Sequence, residues 1–149
     1  MRIAPAVIVL LLLSGVAGCS GLDRLNQART EANESSAIAS VRAVVSAQLT
    51  YSAFCGGSYA PTLPALLSKG YIGSDLGDSD QPSKAGYHFR MSAARGDGTT
   101  PCGDAYSDFE VRAEPDTQGS SGARYFRASS SGEVFAATKP DFSNAVPLQ

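Results

Sequence analysis

The chain opens with a charge-free apolar stretch, Ala4 to Gly18, behind a single basic residue, Arg2. The pattern then changes period. Between Leu22 and Phe54 there is no proline and no glycine, and apolar residues recur at three- and four-residue steps: Leu22, Leu25, Ala28 or Arg29, Ala32, Ile38, Val41, Val44 or Val45, and Leu49. That spacing predicts an amphipathic helix over 19–54, with Ser20 and Asp23 as a start signal and Gly56-Gly57 as the stop. Its first half, to about Ser36, is polar and alanine-rich, and its second half carries the better stripe. The expectation is a helix whose N-terminal half protrudes while its C-terminal half packs on a domain.

Beyond the helix the period shortens. Thr62, Pro64 and Gly70 cap, open and close a short helix, with Leu63, Leu66 and Leu67 facing the long one. Residues 73–85 read as a polar loop. Alternation of apolar and polar positions predicts strands at Tyr87–Met91, Phe109–Ala113 (ended by Pro115), Arg124–Ala128 and Glu133–Ala136, the last two joined by a turn over Ser129–Gly132. The tail, 137–149, shows no periodicity and reads as loose. The expected fold is α+β: a long N-terminal helix packed on a small antiparallel sheet of three to four strands, with the globular region at 55–136.

The apolar opening is shorter than the roughly 20 residues that a spanning helix needs, and it suits the core of a secretory signal. Val16-Ala17-Gly18-Cys19 fits a bacterial lipobox: an aliphatic residue, two small ones and a cysteine. On that reading, cleavage falls between Gly18 and Cys19, residues 1–18 are a lipoprotein signal peptide, and Cys19 is lipidated. The alternative is a short uncleaved anchor in which Cys19 is incidental. Cysteine parity bears on the choice. There are three cysteines, and an odd one in an exported chain needs a use. With Cys19 lipidated, Cys55 and Cys102 remain as a disulfide pair in an oxidising compartment. Ser20, in place of an aspartate, favours the outer membrane, with the domain in the periplasm or at the cell surface.

From Ala28 to Arg42 the chain reads ARTEANESSAIASVR. Gln48-Leu49-Thr50-Tyr51 follows, then Gly57-Ser58-Tyr59-Ala60-Pro61-Thr62-Leu63, Leu66-Leu67, Gly70-Tyr71-Ile72 and Gly86-Tyr87-His88-Phe89. In that order these stretches resemble the type IV pilins and type II secretion pseudopilins. The resemblance implies a pilin-like domain and a place beside pilin or pseudopilin subunits. One departure matters. A processed pilin has Gly-Phe-Thr-x-x-Glu followed by a long apolar helix, and this chain has no such motif. Its apolar run lies before the candidate cut, so cleavage discards the part that packs a filament core, leaving little apolar area to bury there.

Net charge is −2, from 12 basic and 14 acidic residues, and no basic patch supports nucleic-acid binding. His88 is the sole histidine and falls on the polar face of its strand. There is no Gly-x-Ser-x-Gly elbow and no metalloenzyme spacing, so no catalytic residue, metal or cofactor is expected. Asp75, Asp78 and Asp80 share one loop, and Asp97 and Asp104 another; their spacing is not that of a calcium loop, and they read as solvated acids. Tyr51, Tyr59 and Tyr71 serve either a partner surface or core packing. The expected function is a non-enzymatic, lipid-anchored binding or assembly component of the bacterial envelope. The alternatives are an atypical pilin or pseudopilin subunit, and a ligand-binding envelope lipoprotein.

Overall fold

A computed structural model describes residues 19–149; residues 1–18, on which the expected signal peptide and the cut after Gly18 fall, lie outside the described residues. Helix α1 runs Cys19–Phe54, about 54 Å at 1.5 Å per residue. Ala37, Val41, Val44, Gln48, Tyr51 and, just past the helix end, Cys55 are buried along one stripe. Their three- and four-residue steps are those of one helix face. Leu49, expected on that stripe, is 50% exposed. Gln48 holds the inward position because its amide serves the backbone of a loop: Nε2 donates to the Ala60 carbonyl at 3.0 Å, and the Ala60 N–H donates to Oε1 at 2.7 Å. A buried amide satisfied on both sides costs little, and the loop's own polar groups need it.

Docking of α1 starts earlier than the expected boundary near Ser36. The Thr30 hydroxyl donates to the Ser120 carbonyl at 3.3 Å, and the Asn33 amide donates to Ser121 at 2.8 Å. Both partners belong to the loop before a sheet strand, a connection the sequence pattern does not reveal. From Gly21 to Arg29 the helix is exposed, including Leu22 and Leu25 at 65% and 68%. Among the described residues no helix is long and apolar enough to cross a membrane.

Helix α2 (Leu63–Ser68) is built as its residues dictate. The Thr62 hydroxyl accepts from the Ala65 N–H at 3.3 Å, and Gly70 closes it with φ +73°. The polar segment after it contains a single turn, α3 (Ser74–Gly77), whose Leu76 is buried.

The sheet has six strands, not three or four: β1 (Ser83–Lys84), β2 (Tyr87–Thr100), β3 (Gly103–Pro115), β4 (Tyr125–Ser129), β5 (Val134–Ala137) and β6 (Val146–Pro147). They are antiparallel and follow chain order. The two strands beyond the expected number, β1 and β6, are two residues each, too short for any alternation to register. The hairpin β2–β3 is also far longer than its alternating parts. It continues through Arg95–Thr100 and Gly103–Asp108, where the sequence pattern predicts no strand, because both faces of that arm meet water and no alternation marks it. Tyr87, Phe89, Phe109, Val111, Phe126, Ala128, Val134 and Ala136 point inward, toward α1 and α2, and form one core.

The tail is not loose. Phe142 is buried with Tyr125 and Ala137 on the outer face of the sheet, its ring 5.4 Å from the Arg112 guanidinium and 5.0 Å from that of Arg127. Thr138 and Asn144 clasp the loop that carries it, through Thr138 N–H to Asn144 Oδ1 at 3.3 Å and Asn144 Nδ2 to Thr138 Oγ1 at 2.6 Å. Phe142, the Thr138–Asn144 clasp, the two β6 residues and Leu148, whose N–H donates to the Val134 carbonyl at 2.8 Å, do the anchoring one by one, so no periodic signal exists to read.

Candidate functional site: a disulfide-braced cleft at the far end of the long helix

Several residues singled out from the sequence converge at the C-terminal end of α1. Cys55, one step past the helix, is bonded to Cys102 in the turn of the β2–β3 hairpin, with a Cα–Cα separation of 5.3 Å. This ties the exposed hairpin arm to the helix end. In the chain-entropy picture, a bridge spanning 47 residues stabilises by about 4 kcal/mol. A second set of bonds reinforces it: the Tyr59 N–H donates to the Tyr106 carbonyl at 3.1 Å, and the Tyr106 N–H donates to the Ser58 hydroxyl at 2.8 Å.

Between the helix end, α2 and the hairpin lies a cleft of about 350 Å³, lined by Tyr51, Pro61, Ala65, Ser68, Lys69, Cys102, Asp104 and Tyr106. Two of its lining residues, Tyr51 and Tyr106, are aromatic. Tyr51 meets Tyr71 edge-on, with centroids 6.5 Å apart. Burial, then the neighbouring Tyr106 and Tyr71, raise the Tyr51 hydroxyl above its ordinary pKa, so it stays a neutral donor. Lys69 is exposed and pairs with no carboxylate among the described residues, whereas Asp104 is held by Arg95 at 2.6 Å. The cleft therefore offers phenol hydroxyls, a ring edge and an ammonium on a rigid frame. A smaller hollow of about 220 Å³ on the outer sheet face offers less, because its charges are taken up: Glu110 pairs with both Arg127 and Arg112.

The remaining candidates lie elsewhere. Tyr59 packs on Phe109, centroids 4.9 Å apart, as part of the core margin. Asp75 binds Lys84 at 2.8 Å, and that hydrogen bond lowers its carboxyl pKa. Asp97 and Asp104 sit on the hairpin arm, far along the chain from Asp75, Asp78 and Asp80. No three His, Cys, Asp or Glu side chains gather into a metal-binding group among the described residues. His88 lies between Ser83 and Asp116, a set that invites a catalytic reading. Yet Nδ1 takes both neighbours, the Ser83 hydroxyl at 2.6 Å and the Asp116 carboxylate at 2.8 Å. A nucleophile–base–acid relay needs the hydroxyl on one ring nitrogen and the carboxylate on the other. This arrangement is a solvent-exposed surface contact, with the histidine side chain 62% exposed.

One residue that sequence reasoning passed over carries the other end of α1. Glu34 is buried to 6% exposure. Its Oε1 accepts from the Ala123 and Arg124 N–H groups at 2.9 and 3.2 Å, and its Oε2 from Arg124 Nε at 2.8 Å and Nη2 at 2.7 Å. Tyr87 completes the clasp by donating its hydroxyl to the Arg124 carbonyl at 2.8 Å, and burial raises its pKa strongly. The Tyr87 hydroxyl occupies the space where a side chain at position 122 would begin, which requires Gly122. A signal existed: Glu34 stands three residues before Ala37, in line with the buried stripe.

The chain matches no known protein family, no curated protein and no solved structure.

Proposed function

We propose that this chain is a lipid-tethered, pilin-like envelope protein that acts as a non-enzymatic binding or assembly component. The observation that carries the reading is the polarity of α1. Its Gly21–Arg29 segment leaves Leu22 and Leu25 uncovered directly after Cys19, the candidate lipid attachment point, while the folded domain gathers around its other half. Two uncovered leucines one turn apart beside an acylated cysteine suit a helix that meets a bilayer surface or the helices of neighbouring envelope subunits. The tether would place the disulfide-braced cleft at the opposite end, about 50 Å of helix from the membrane. The cleft favours a second reading, a ligand-binding lipoprotein that presents its site away from the membrane. The pilin-like assignment rests on the ordered sequence resemblance together with a long helix laid on an antiparallel sheet.

The deciding experiment is the intact mass of the N-terminal peptide recovered from bacterial membranes. A peptide beginning at Cys19 and carrying acyl chains is expected. A non-acylated peptide retaining Met1–Gly18 would overturn the lipoprotein reading and leave the atypical membrane-spanning pilin in its place.

A further inference from the structure

Strand β2 is 14 residues long, but its outer neighbour β1 covers only Tyr87 and His88. The direction of the uncovered backbone groups follows from one hydrogen bond. The Phe89 N–H donates to the Pro82 carbonyl at 2.9 Å, on the β1 side. In an antiparallel ladder, alternate residues send both backbone groups to the same side. Met91 and Ala93 therefore direct their N–H and C=O groups away from β3. No protein group among the described residues bonds them.

Exposed edges are ordinarily blocked by proline, by charges, by bulges or by brevity. The opposite edge of this sheet, β6, is two residues long and contains Pro147. Along β2, register shifts at Ala94/Arg95 and Arg95/Thr99 break the ladder beyond Ala94, and β1 with Pro82 blocks it before Arg90. Between them the window Arg90-Met91-Ser92-Ala93-Ala94 holds no proline, no bulge and no inward-facing charge.

We propose that this window is a self-association edge: β2 of one copy pairs antiparallel with β2 of a second copy, about a two-fold axis through Ser92. The register follows from the backbone. Met91 and Ala93 of opposite copies become hydrogen-bonded partners and exchange both N–H···O bonds. Ser92 faces Ser92. Arg90 faces Ala94 of the second copy, so no like charges are opposed, whereas a two-residue slip that paired Arg90 with Ser92 would leave Met91 opposite itself and disengage Ala93. The inward side chains, Met91 and Ala93, meet across the seam and extend the apolar layer. A closed two-fold interface of this kind uses one patch on both subunits.

The axis also sets the orientation. Helix α1 runs along β2, from Asn33 beside Gly86 to Cys55 bonded to Cys102. The two Cys19 ends therefore leave from opposite ends of the pair. Copies lying flat on one bilayer, or standing on two facing bilayers, can meet this way; copies standing upright side by side cannot. The proposal does not depend on lipidation, and its test in detergent stands apart from the N-terminal mass measurement.

The test is disulfide trapping of the full-length chain in detergent micelles, with linkages mapped by mass spectrometry. Opposed non-hydrogen-bonded residues lie about 4.5 Å apart at Cα, within disulfide reach. Ser92→Cys is expected to trap a dimer through position 92 at least tenfold more efficiently than Ala94→Cys, with the double variant Arg90→Cys/Ala94→Cys also trapped. Equal trapping at positions 92 and 94, or none, would overturn the proposal. Ala93→Pro removes an outward N–H that bonds nothing within the subunit, so the fold should survive it, and sedimentation equilibrium should show the dimer lost while near-UV circular dichroism is unchanged. A folded Ala93→Pro chain that still dimerises would overturn the edge as the contact. If that variant does not fold, the contrast between positions 92 and 94 decides alone.

Discussion

The two ends of the docked part of α1 are fastened by different chemistry. At the near end Glu34 grips Arg124 and two backbone N–H groups, a polar clasp with no covalent component. At the far end Cys55 is bonded to Cys102. The polar clasp depends on burial and geometry, since an uncompensated buried carboxylate or guanidinium is costly and the pair is favourable only while complete. The covalent brace acts mainly on the unfolded chain. The near end, next to the exposed Gly21–Arg29 segment, can therefore open locally without global unfolding. The far end, which frames the cleft, is held fixed. A rigid frame suits a binding site, and a reversible fastening suits a segment that meets other surfaces.

The comparison breaks most severely at the covalent end. Replacing both Cys55 and Cys102 with serine should lower stability by about 4 kcal/mol, seen as a fall in the denaturant midpoint, and hydrogen exchange should rise first in the hairpin arm around Tyr106. Glu34→Ala comes next. It strands the Ala123 and Arg124 N–H groups and the Arg124 guanidinium, at a cost of about 2–3 kcal/mol, scaled down from a fully buried pair because Arg124 remains partly exposed. Exchange should rise around Thr30–Ala37 while the cleft stays protected. The two losses should add, because 21 helical residues, about 30 Å, separate the sites. Measured coupling well above 0.5 kcal/mol would show that the ends are not independent.

Tyr87→Phe sharpens the contrast by pH. Its hydroxyl pKa is raised by burial, so the folded state disfavours the phenolate. The stability this supplies is fully present below the unfolded pKa of about 10 and is lost as pH rises through the folded value. The natural chain should lose stability increasingly above pH 10. Tyr87→Phe should cost about 1 kcal/mol at neutral pH through the lost bond to Arg124 and flatten part of that alkaline decline; an unchanged slope would refute the assignment. The smallest effect belongs to Asp75→Asn. Its pair with Lys84 is more than a third exposed on the carboxylate side, so the change should stay within about 0.5 kcal/mol.

What was legible along the chain is what repeats. Helix α1 carries enough turns for its period to emerge, and Thr62, Pro64 and Gly70 mark α2 because capping is local chemistry. The inner strands were readable because one face is buried and the other wet, as in Tyr87–Met91 and Phe109–Ala113. The outer arm of the β2–β3 hairpin, wet on both faces, was not.

Of the candidate site, the sequence supplied Cys55, Cys102, Tyr51 and Tyr71 separately, and parity suggested the bridge. The alternation of residues alone also determined an α+β chain with one long helix ahead of its strands. Only the tertiary structure decided that Lys69 and Tyr106 line a cleft with Tyr51 and Cys102, that Glu34 sits under Arg124, that Phe142 folds back between Arg112 and Arg127, and that β1 stops short and leaves Met91 and Ala93 unpaired. Each of these joins residues far apart in the chain through a single contact. A single contact has no period, and its energy exists only once the backbone has brought both partners to the same place.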